Sequence, residues 1–560
     1  MQAHLDSILL AGCAALVLAS SSSAQLSNPV IGAKEARLFS ANAQVQEQLG
    51  AAVAIDGDRA VCGIPFYDTP GQQSAGAARV FVRTVNGWAQ EATLLAADGL
   101  ADDQLGHAVA IDGDTIVLGA FRDDHTGNGN AGSAYVFVRS GSTWTQQAKL
   151  VGSGASAADL SGTSVAIAGD TIAVGSPGDE VGMPNATGVV YIFVRSGSVW
   201  SQQAAIRPAD SIAGDYFGHS VALSGNTLAA GASRDDDVGD SAGSAYIFVR
   251  SGSTWSQQAK LLASDGGFTD QFGWSIGISG DVVAVGAPYY DGAAIDTGVA
   301  YAFARTSGVW TQESILEPVA LGGGQRAGWS VAVDGAFALV GVPDDPVPGS
   351  TGGGSARLFR RAGTSWSEET KIAHDAARGN LALSVSISGD TVIAGAPFDS
   401  LGLPVGGEGS AYVFRLQNTP EIYCTAKTNS KGCQPAIGFN GVPSASSAGS
   451  FLITCHSVIN NKLGYLLYGY GMENNAFQGG VLCITSPILR TPVQSSGGNP
   501  PPDDCSGAFT IDFNDYIQGG NDPALVAGSD VFAEWWSRDP ALATTYPVSL
   551  SNAIHFAIQP

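Results

Sequence analysis

Short apolar runs bounded by glycine-containing turns recur along most of the chain. Four such runs follow one another at residues 107–111, 115–120, 133–139 and 144–150. Asp112-Gly113 joins the first two runs, and this pair favours a two-residue hairpin because both residues tolerate a positive φ. No repeating unit has a convincing helical period of apolar residues. The pattern predicts four short antiparallel strands, which we name A to D in chain order.

This four-strand unit occurs seven times. The glycine of the A–B turn recurs every 54–56 residues, at Gly57, Gly113, Gly169, Gly225, Gly280, Gly335 and Gly389. Four-stranded units at this period are typical of β-propeller blades, whereas solenoid units are usually shorter and often helical. We therefore predict an all-β seven-bladed β-propeller over residues 25–417.

The two ends of the repeat array indicate how the ring closes. The seventh unit stops after strand C at Leu416, and no tryptophan-containing strand D follows it. Residues 35–39, ahead of the first unit, have the pattern of a strand D. We predict that this N-terminal strand completes blade seven and so removes an exposed sheet edge.

Two recurring motifs carry a resemblance to a known family. Phe217-Gly218 and Phe272-Gly273 begin strand A, and Gly286-Ala-Pro288 ends strand B. These segments resemble the FG-GAP repeat, the blade of the integrin α-subunit propeller and of many bacterial exported proteins. Ala382 departs from the pattern because it replaces the strand-A glycine. The integrin-type calcium loop between strands A and B is absent, so the resemblance implies no calcium site at those turns.

Two sets of residues repeat with the units, and we expect both to be structural. The glycines that begin strand A are Gly50, Gly106, Gly162, Gly218, Gly273 and Gly328. The tryptophans that begin strand D are Trp88, Trp144, Trp200, Trp255, Trp310 and Trp366. Stacking of a sugar on one or two of these tryptophans remains an alternative.

The segments outside the propeller indicate an exported protein. Residues 1–24 have the apolar run and small-x-small end of a signal peptide, although no Lys or Arg precedes the run. A lipidated Cys13 is the minor alternative. Residues 418–422 form a linker, and we predict a small disulfide-containing, β-sandwich-like domain over residues 423–560. That domain resembles a C-terminal module of exported repeat proteins from environmental bacteria.

Cysteines are concentrated in this last domain. It contains Cys424, Cys433, Cys455, Cys483 and Cys505. An exported segment with five cysteines predicts two disulfides and one free thiol. The sequence does not determine which cysteines pair, and Cys424–Cys433 is the most local option. Cys62, in a strand B position that is otherwise apolar, is expected to be a buried thiol.

Charge excludes two classes of partner. The 560 residues carry a net charge of −24 with only 26 Lys and Arg, which argues against binding to nucleic acid or anionic membranes. No segment after the signal reaches the ~20 apolar residues of a membrane-spanning helix. The acids concentrate in the B–C and D–A loops, which hold 26 Asp and Glu against four Arg and no Lys. We call the surface formed by these loops the loop face. Its charge could serve solubility or attract a cation or basic partner.

Two acidic clusters on the loop face are candidate ligand or metal sites. They comprise Asp123 and Asp124 in one loop, and Asp235, Asp236, Asp237 and Asp240 in another. Calcium is the cation that such carboxylates would suit, although neither loop matches a defined calcium motif. We expect that replacing the second group by Asn preserves the fold.

The sequence contains candidate catalytic motifs, but they do not support an active site. Gly273-Trp-Ser275-Ile-Gly277 has the form of a nucleophile elbow, but it begins a strand and no helix follows it. His107 and His219 occupy a repeat position that Ala51 and Trp274 also fill, which indicates packing or channel lining. No catalytic residue is therefore assigned.

Two functional hypotheses follow. The first is a non-enzymatic, secreted or cell-surface binding or adhesion protein whose acidic loop face holds a protein or glycan, with assistance from a cation. The second is an exported hydrolase or lyase with a site at the mouth of the propeller channel. The scarcity of basic and nucleophilic groups beside the acids favours the first.

Overall fold

The computed structural model describes residues 30–558 apart from short gaps. The gaps are 41–42, 45, 85–86, 126–128, 181–186, 347–352, 374–378, 401–406, 419–420, 424–425, 447–448, 478–479, 527–528, 540 and 542–547. The signal peptide and Cys13 therefore lie outside the described residues. Backbone contacts divide the chain into two compact units, Val30–Thr419 and one that contains Pro420–Pro560.

Seven four-stranded antiparallel sheets make up the first unit. The strand β1 is Val30–Leu38. Sheet one comprises β2 (Val53–Asp56), β3 (Arg59–Ile64), β4 (Ala77–Thr84) and β5 (Gly87–Leu94); sheet two comprises β6 (Ala108–Asp112), β7 (Thr115–Ala120), β8 (Ser133–Ser140) and β9 (Thr143–Leu150). Sheet three comprises β10 (Ser164–Ala168), β11 (Thr171–Ser176), β12 (Val189–Ser196) and β13 (Val199–Ile206). Sheet four comprises β14 (Phe217–Ser224), β15 (Thr227–Ala232), β16 (Ser244–Ser251) and β17 (Thr254–Leu261).

The remaining sheets continue the series. Sheet five comprises β18 (Ser275–Ser279), β19 (Val282–Ala287), β20 (Val299–Thr306) and β21 (Val309–Leu316). Sheet six comprises β22 (Val331–Asp334), β23 (Phe337–Val342), β24 (Ser355–Ala362) and β25 (Ser365–Ile372). Sheet seven comprises β26 (Val385–Ser388), β27 (Thr391–Ala396), β28 (Ser410–Asn418) and the N-terminal β1. The all-β propeller-type fold expected from the sequence is confirmed.

Strand A of each sheet packs against strand A of the next one, and strand A of sheet seven also contacts strand A of sheet one. Strand B is almost fully buried because both of its faces are covered by neighbouring sheets. This explains why strand B reads as a continuous apolar run rather than an alternating one. Strand D is the outermost strand and is mostly half-buried or exposed.

The N-terminal strand pairs with the last propeller strand over its whole length. Val30 lies opposite Asn418 and Leu38 lies opposite Ala411 in an antiparallel register. A further bridge joins Leu49 of sheet one to Gly409 of sheet seven. We call this β1–β28 pairing the seam.

The second unit is built from β-strands around a common core. Its strands are β29 (Glu421–Tyr423), β30 (Ala436–Gly441), β31 (Phe451–Val458), β32 (Leu463–Gly469), β33 (Met472–Phe477), β34 (Gly480–Ile484), β35 (Leu489–Arg490), β36 (Gln494–Ser495), β37 (Gly507–Asp512), β38 (Asp530–Arg538) and β39 (Val548–Ala557). A six-stranded sheet that contains β29, β39, β38, β32, β35 and β36 shares its core with the three-stranded sheet β30-β31-β37. One helix, α1 (Phe513–Gln518), follows β37 and is capped by Asp512.

The cysteine pairing differs from the most local option. Cys433 forms a disulfide with Cys505, 72 residues away, which excludes the most local option, Cys424–Cys433. Cys483 is also disulfide-bonded, and Cys424 lies outside the described residues. Cys455 and Cys62 are free and buried, which raises the pKa of both thiols.

Candidate functional site

Many acids of the loop face are not at the surface. The structure describes 25 of the 26 Asp and Glu that the sequence places in these loops, and 11 of these 25 are buried. They are Glu47, Asp103, Asp123, Asp159, Asp179, Asp215, Asp235, Asp270, Asp345, Asp399 and Glu408. The surface charge is therefore smaller than the count of acids suggests.

Asp235 shows what the buried acids of the B–C loops do. Its carboxylate accepts hydrogen bonds from Ser244 Oγ at 2.7 Å and Tyr246 OH at 2.9 Å, and Lys260 Nζ lies 2.8 Å away. Burial alone would raise the pKa of Asp235, but Lys260, Ser244 and Tyr246 hold that pKa below its usual value. Asp235 therefore ties its loop to strands C and D as an anion.

The same arrangement recurs in other sheets. The corresponding carboxylate–cation pairs are Asp123–Lys149 (2.7 Å), Asp179–Arg207 (3.6 Å), Asp345–Arg357 (2.7 Å), Asp345–Lys371 (2.9 Å) and Asp399–Arg37 (2.7 Å). In sheets one and five, the aspartate is replaced by Tyr67 and Tyr290, and Thr93 and Ile315 take the place of the strand-D cation. The loop aspartate and the strand-D cation are therefore absent together from these two units, and this shared absence is the sequence signal for an internal ion pair.

The buried acids of the D–A loops have a different partner. Asp103 accepts from the backbone N–H of Leu100 at 2.7 Å, and Asp215 accepts from that of Ile212 at the same distance. Burial, together with the negative charge of the nearby B–C loop aspartate, raises the pKa of both Asp103 and Asp215 to about 6. These side chains close the loop locally, and their proton affinity is abnormal because two acids share one buried region.

The predicted ligand residues thus divide into two groups. Asp123 and Asp235 are buried and committed to internal contacts, so the expectation that Asp235 can be replaced without cost to the fold is revised. Asp124, Asp236, Asp237 and Asp240 are exposed. Asp124 accepts from the Asn130 N–H and Asp236 from the Ser241 N–H, while Asp237 pairs with Lys260. Among the described residues, no three His, Cys, Asp or Glu side chains come together as a metal site.

The strand-A glycines are required by backbone geometry. All six have φ between +82° and +92°, and a Cβ on any of them would lie 2.2–2.9 Å from a carbonyl oxygen of the preceding sheet. Ala382, which takes the glycine's place in sheet seven, also has a positive φ of 68°. The glycines therefore allow neighbouring sheets to approach closely.

The strand-D tryptophans also join neighbouring sheets. Each indole N–H donates to a strand-D side chain of the preceding sheet at 2.8–3.1 Å: Trp88 to Glu35, Trp144 to Glu91, Trp200 to Gln147, Trp255 to Gln203, Trp310 to Gln258 and Trp366 to Glu313. The Trp88–Glu35 bond crosses from sheet one to the seam strand. These contacts give the tryptophans a structural role.

The elbow-like serine has a structural contact as well. Ser275 Oγ donates to the carbonyl oxygen of Gly328 in the next sheet at 2.8 Å. Ser220 and Ser330 make the same bond to Gly273 and Ala382. The hydroxyl thus repeats with the fold rather than marking one special position.

The residues that follow the strand-A glycines bring aromatic groups together. The ring centroids of His219 and Trp274 are 4.6 Å apart, and those of Trp274 and Trp329 are 4.8 Å apart. His107 packs on Phe121 at 4.2 Å. Because strand A is the innermost strand, this set lies where the D–A loops enter the centre of the unit, and we call it the mouth.

Within the described residues, no helix is long and apolar enough to cross a membrane. Comparison with curated proteins gave no match. The family model described as the FG-GAP repeat matches residues 88–137, 144–193, 200–248, 255–303 and 366–414. Each match starts at one of the strand-D tryptophans, runs through strands A and B of the next sheet and ends in its strand C. These five matches show that the chain contains FG-GAP repeats, as expected for a β-propeller of the FG-GAP repeat family.

Proposed function

We propose that this protein is a non-enzymatic binding or adhesion protein, secreted or held at the cell surface, whose loop face binds an extracellular protein or glycan. FG-GAP propellers often serve extracellular binding. The observation that carries the proposal is the excess of acids over bases in the B–C and D–A loops of all seven units. Once the 11 buried acids are set aside, 14 acids and three arginines remain among the described residues of these loops.

The exposed part of the 235–240 loop is the densest remaining acidic region. Asp236 and Asp240 are exposed, and neither forms a salt bridge with a described residue. Their charges would attract a basic partner, or a calcium ion that a partner also binds. Attraction of this type should weaken as salt rises, because exposed charges are screened over about 8–10 Å at physiological ionic strength.

The test is a screen of the purified chain on glycan and protein arrays, with calcium and with chelator, followed by affinity measurements at low and high salt. Asp236→Asn/Asp240→Asn should weaken capture of the partner while the melting temperature stays unchanged. Asp58→Asn/Asp114→Asn is the matched control, because it removes the same charge from exposed A–B turns on the opposite side of the sheets. Equal effects of the two double variants, or no captured partner at all, would contradict the proposal.

A further inference from the structure

The mouth has a different chemistry from the acidic rim around it. The positions that follow the strand-A glycine or its replacement hold Ala51, His107, Thr163, His219, Trp274, Trp329 and Leu383. Four of these seven side chains are aromatic, and they occur in sheets two, four, five and six. No requirement of the strand pairing explains this, because the same position accepts Ala51 and Thr163.

Three of these aromatic side chains, His219, Trp274 and Trp329, form a continuous cluster with Tyr289. Trp274 contacts His219, Trp329 and Tyr289, with ring centroids 4.6, 4.8 and 5.8 Å apart. His219 Nδ1 also lies 3.1 Å from the carbonyl oxygen of Trp274, which fixes the imidazole beside the indole. Both tryptophans remain partly exposed. Fixed, partly open aromatic groups are characteristic of sites that bind a ring-shaped ligand.

Three guanidinium groups lie over aromatic rings in this part of the loop face. Arg326 lies 4.7 Å from the Trp329 ring and pairs with Asp344. Arg234 lies 4.4 Å from the Tyr216 ring, and Arg122 lies 5.3 Å from the Phe121 ring. Arg122 and Arg234 are exposed, and neither forms a salt bridge with any described residue. The three described arginines of the loop face therefore all lie beside aromatic side chains.

The surroundings of the two histidines lower the pKa of both imidazoles. The enclosed position of His107 lowers its pKa to about 4, although part of the ring is open to solvent, and the charges of His219 and Arg122 act in the same direction. Burial likewise lowers the pKa of His219 to about 4, with a further contribution from Arg234. Both imidazoles are neutral at physiological pH and can exchange hydrogen bonds with hydroxyl groups. Arg122 thus acts on His107, and Arg234 acts on His219.

We infer that the mouth binds a sugar ring that carries a carboxylate, such as a uronic acid residue of a glycan, by stacking on Trp274 and Trp329 and by pairing with Arg122 and Arg234. This inference rests on the proposed binding function and names its ligand class. A cationic ligand is disfavoured, because the positive charges of Arg122, Arg234 and Arg326 lie beside aromatic rings of this region and the first two form no salt bridge with a described residue. A carboxylate would complete charge-assisted, bidentate contacts with a guanidinium group.

The experiment titrates the full chain with galacturonic acid oligosaccharides and with galactose oligosaccharides of equal length. Calorimetry measures affinity, and intrinsic tryptophan fluorescence reports on the mouth. We expect the acidic sugar to bind about tenfold or more tightly than the neutral one, as loss of a charged hydrogen bond typically costs that much. Trp274→Ala and Arg122→Gln/Arg234→Gln should each weaken the acidic sugar by about tenfold or more.

Two controls separate this inference from the proposed function. Phe268→Ala removes an aromatic side chain that is 75% exposed on the same face but outside the mouth, and it should leave the affinity unchanged. If Trp274→Ala lowers the melting temperature, the affinity of the double arginine variant tests the inference instead, because Arg122 and Arg234 are exposed and their replacement should not disturb the fold. Equal affinity for both sugars, or full affinity in the double arginine variant, would overturn the inference. Array binding that survives the mouth variants would leave the proposed function intact, whereas absence of any array binding would remove both.

Discussion

A single backbone conformation sets the spacing between neighbouring sheets. Gly106 has φ +86°, and a Cβ there would lie 2.2 Å from the carbonyl oxygen of Ala77. Gly113, in the A–B turn of the same sheet, has φ +55°, but a Cβ on it would meet no atom within 4 Å. The two glycines therefore share a positive φ and differ in the space around them.

We expect Gly106→Ala to lower the free energy of unfolding far more than Gly113→Ala. The turn variant should cost about 1 kcal/mol, which is the usual penalty of a left-handed conformation for alanine. The Gly106 variant adds a clash with backbone that cannot move without separating two sheets. Urea denaturation of both variants measures the difference, and similar costs would mean that close approach is not what requires the glycine.

Asp103 gives the protein a pH dependence of known sign. Its pKa in the folded state is raised from 3.8 to about 6 by burial and by Asp123, so the folded protein holds this proton more tightly than the unfolded chain does. The side chain's contribution to stability is therefore fully present below pH ~4 and lost as pH rises through about 6. Ionised Asp103 is a destabilising group at neutral pH.

Asp103→Asn should consequently gain stability relative to the unmodified protein between pH 4.5 and 7.5, by about 2 kcal/mol. The Asn side-chain oxygen can still accept the hydrogen bond from the Leu100 N–H. Asp102→Asn is the control, because Asp102 is exposed in the same loop and should show no such trend. Urea midpoints at the two pH values provide the measurement, and parallel pH profiles of all three proteins would show that Asp103 titrates normally.

At the scale of the strand, the loops are attached to the sheets by ion pairs. Lys260 of β17 contacts Asp235, and Ser244 and Tyr246 of β16 donate to the same carboxylate. Removal of Asp235 takes away the buried carboxylate that Lys260, Ser244 and Tyr246 share, which is costly even though Asp210 and Asp237 still contact Lys260. Replacement of both members of the pair by uncharged residues of similar size costs less stability.

We expect Asp235→Asn to cost about 2–4 kcal/mol, and Asp240→Asn, in the exposed part of the same loop, to cost less than about 0.5 kcal/mol. Combined with Lys260→Met, the Asp235 substitution should cost less than the sum of the two single changes. A double-mutant cycle in urea measures this coupling. Additive costs would show that the ion pair does not stabilise the loop.

The strand pattern could be predicted from the sequence almost to the residue, because repetition averages out local ambiguity. Residues 115–120 were expected as strand B and form β7, and 133–139 correspond to Ser133–Ser140. The burial and pairing of the loop acids could not be predicted, because an aspartate in a polar loop looks the same in the sequence whether it is solvated or paired. Only comparison of Tyr67 and Tyr290 with the aspartates of the other units carried that information.

The site at the mouth could be predicted only in part. The repeat showed that His107, His219 and Trp274 occupy equivalent positions, but the units are separated by about 55 residues and nothing local indicates that their rings touch. The contact follows from the packing of strand A against strand A. The pairing of Cys433 with Cys505 was equally inaccessible, because spacing along the chain does not determine distance in the fold.

At the scale of the whole propeller, the seam joins the two ends of the repeat array. β1 pairs with β28, and Trp88 donates to Glu35 across the boundary with sheet one. Deletion of residues 25–40 should therefore lower the melting temperature sharply, because it exposes the edge of β28 and removes the partner of Trp88. Differential scanning calorimetry provides the measurement.

Deletion of residues 25–29 alone is the matched control, since it removes the chain ahead of β1 and leaves the seam strand in place. This shorter deletion should leave the melting temperature unchanged. An unchanged melting temperature after the longer deletion would mean that the pairing of β1 with β28 does not hold the ring closed.

The register of the seam also has a mechanical consequence. Val30 and Asn418 lie opposite each other at the same end of the pair. A force that separates these two residues loads the backbone hydrogen bonds one after another, as in unzipping, whereas a force between Leu38 and Asn418 loads them together in shear. The propeller should thus open readily when it is pulled through its own two ends and resist much larger forces applied along the strand.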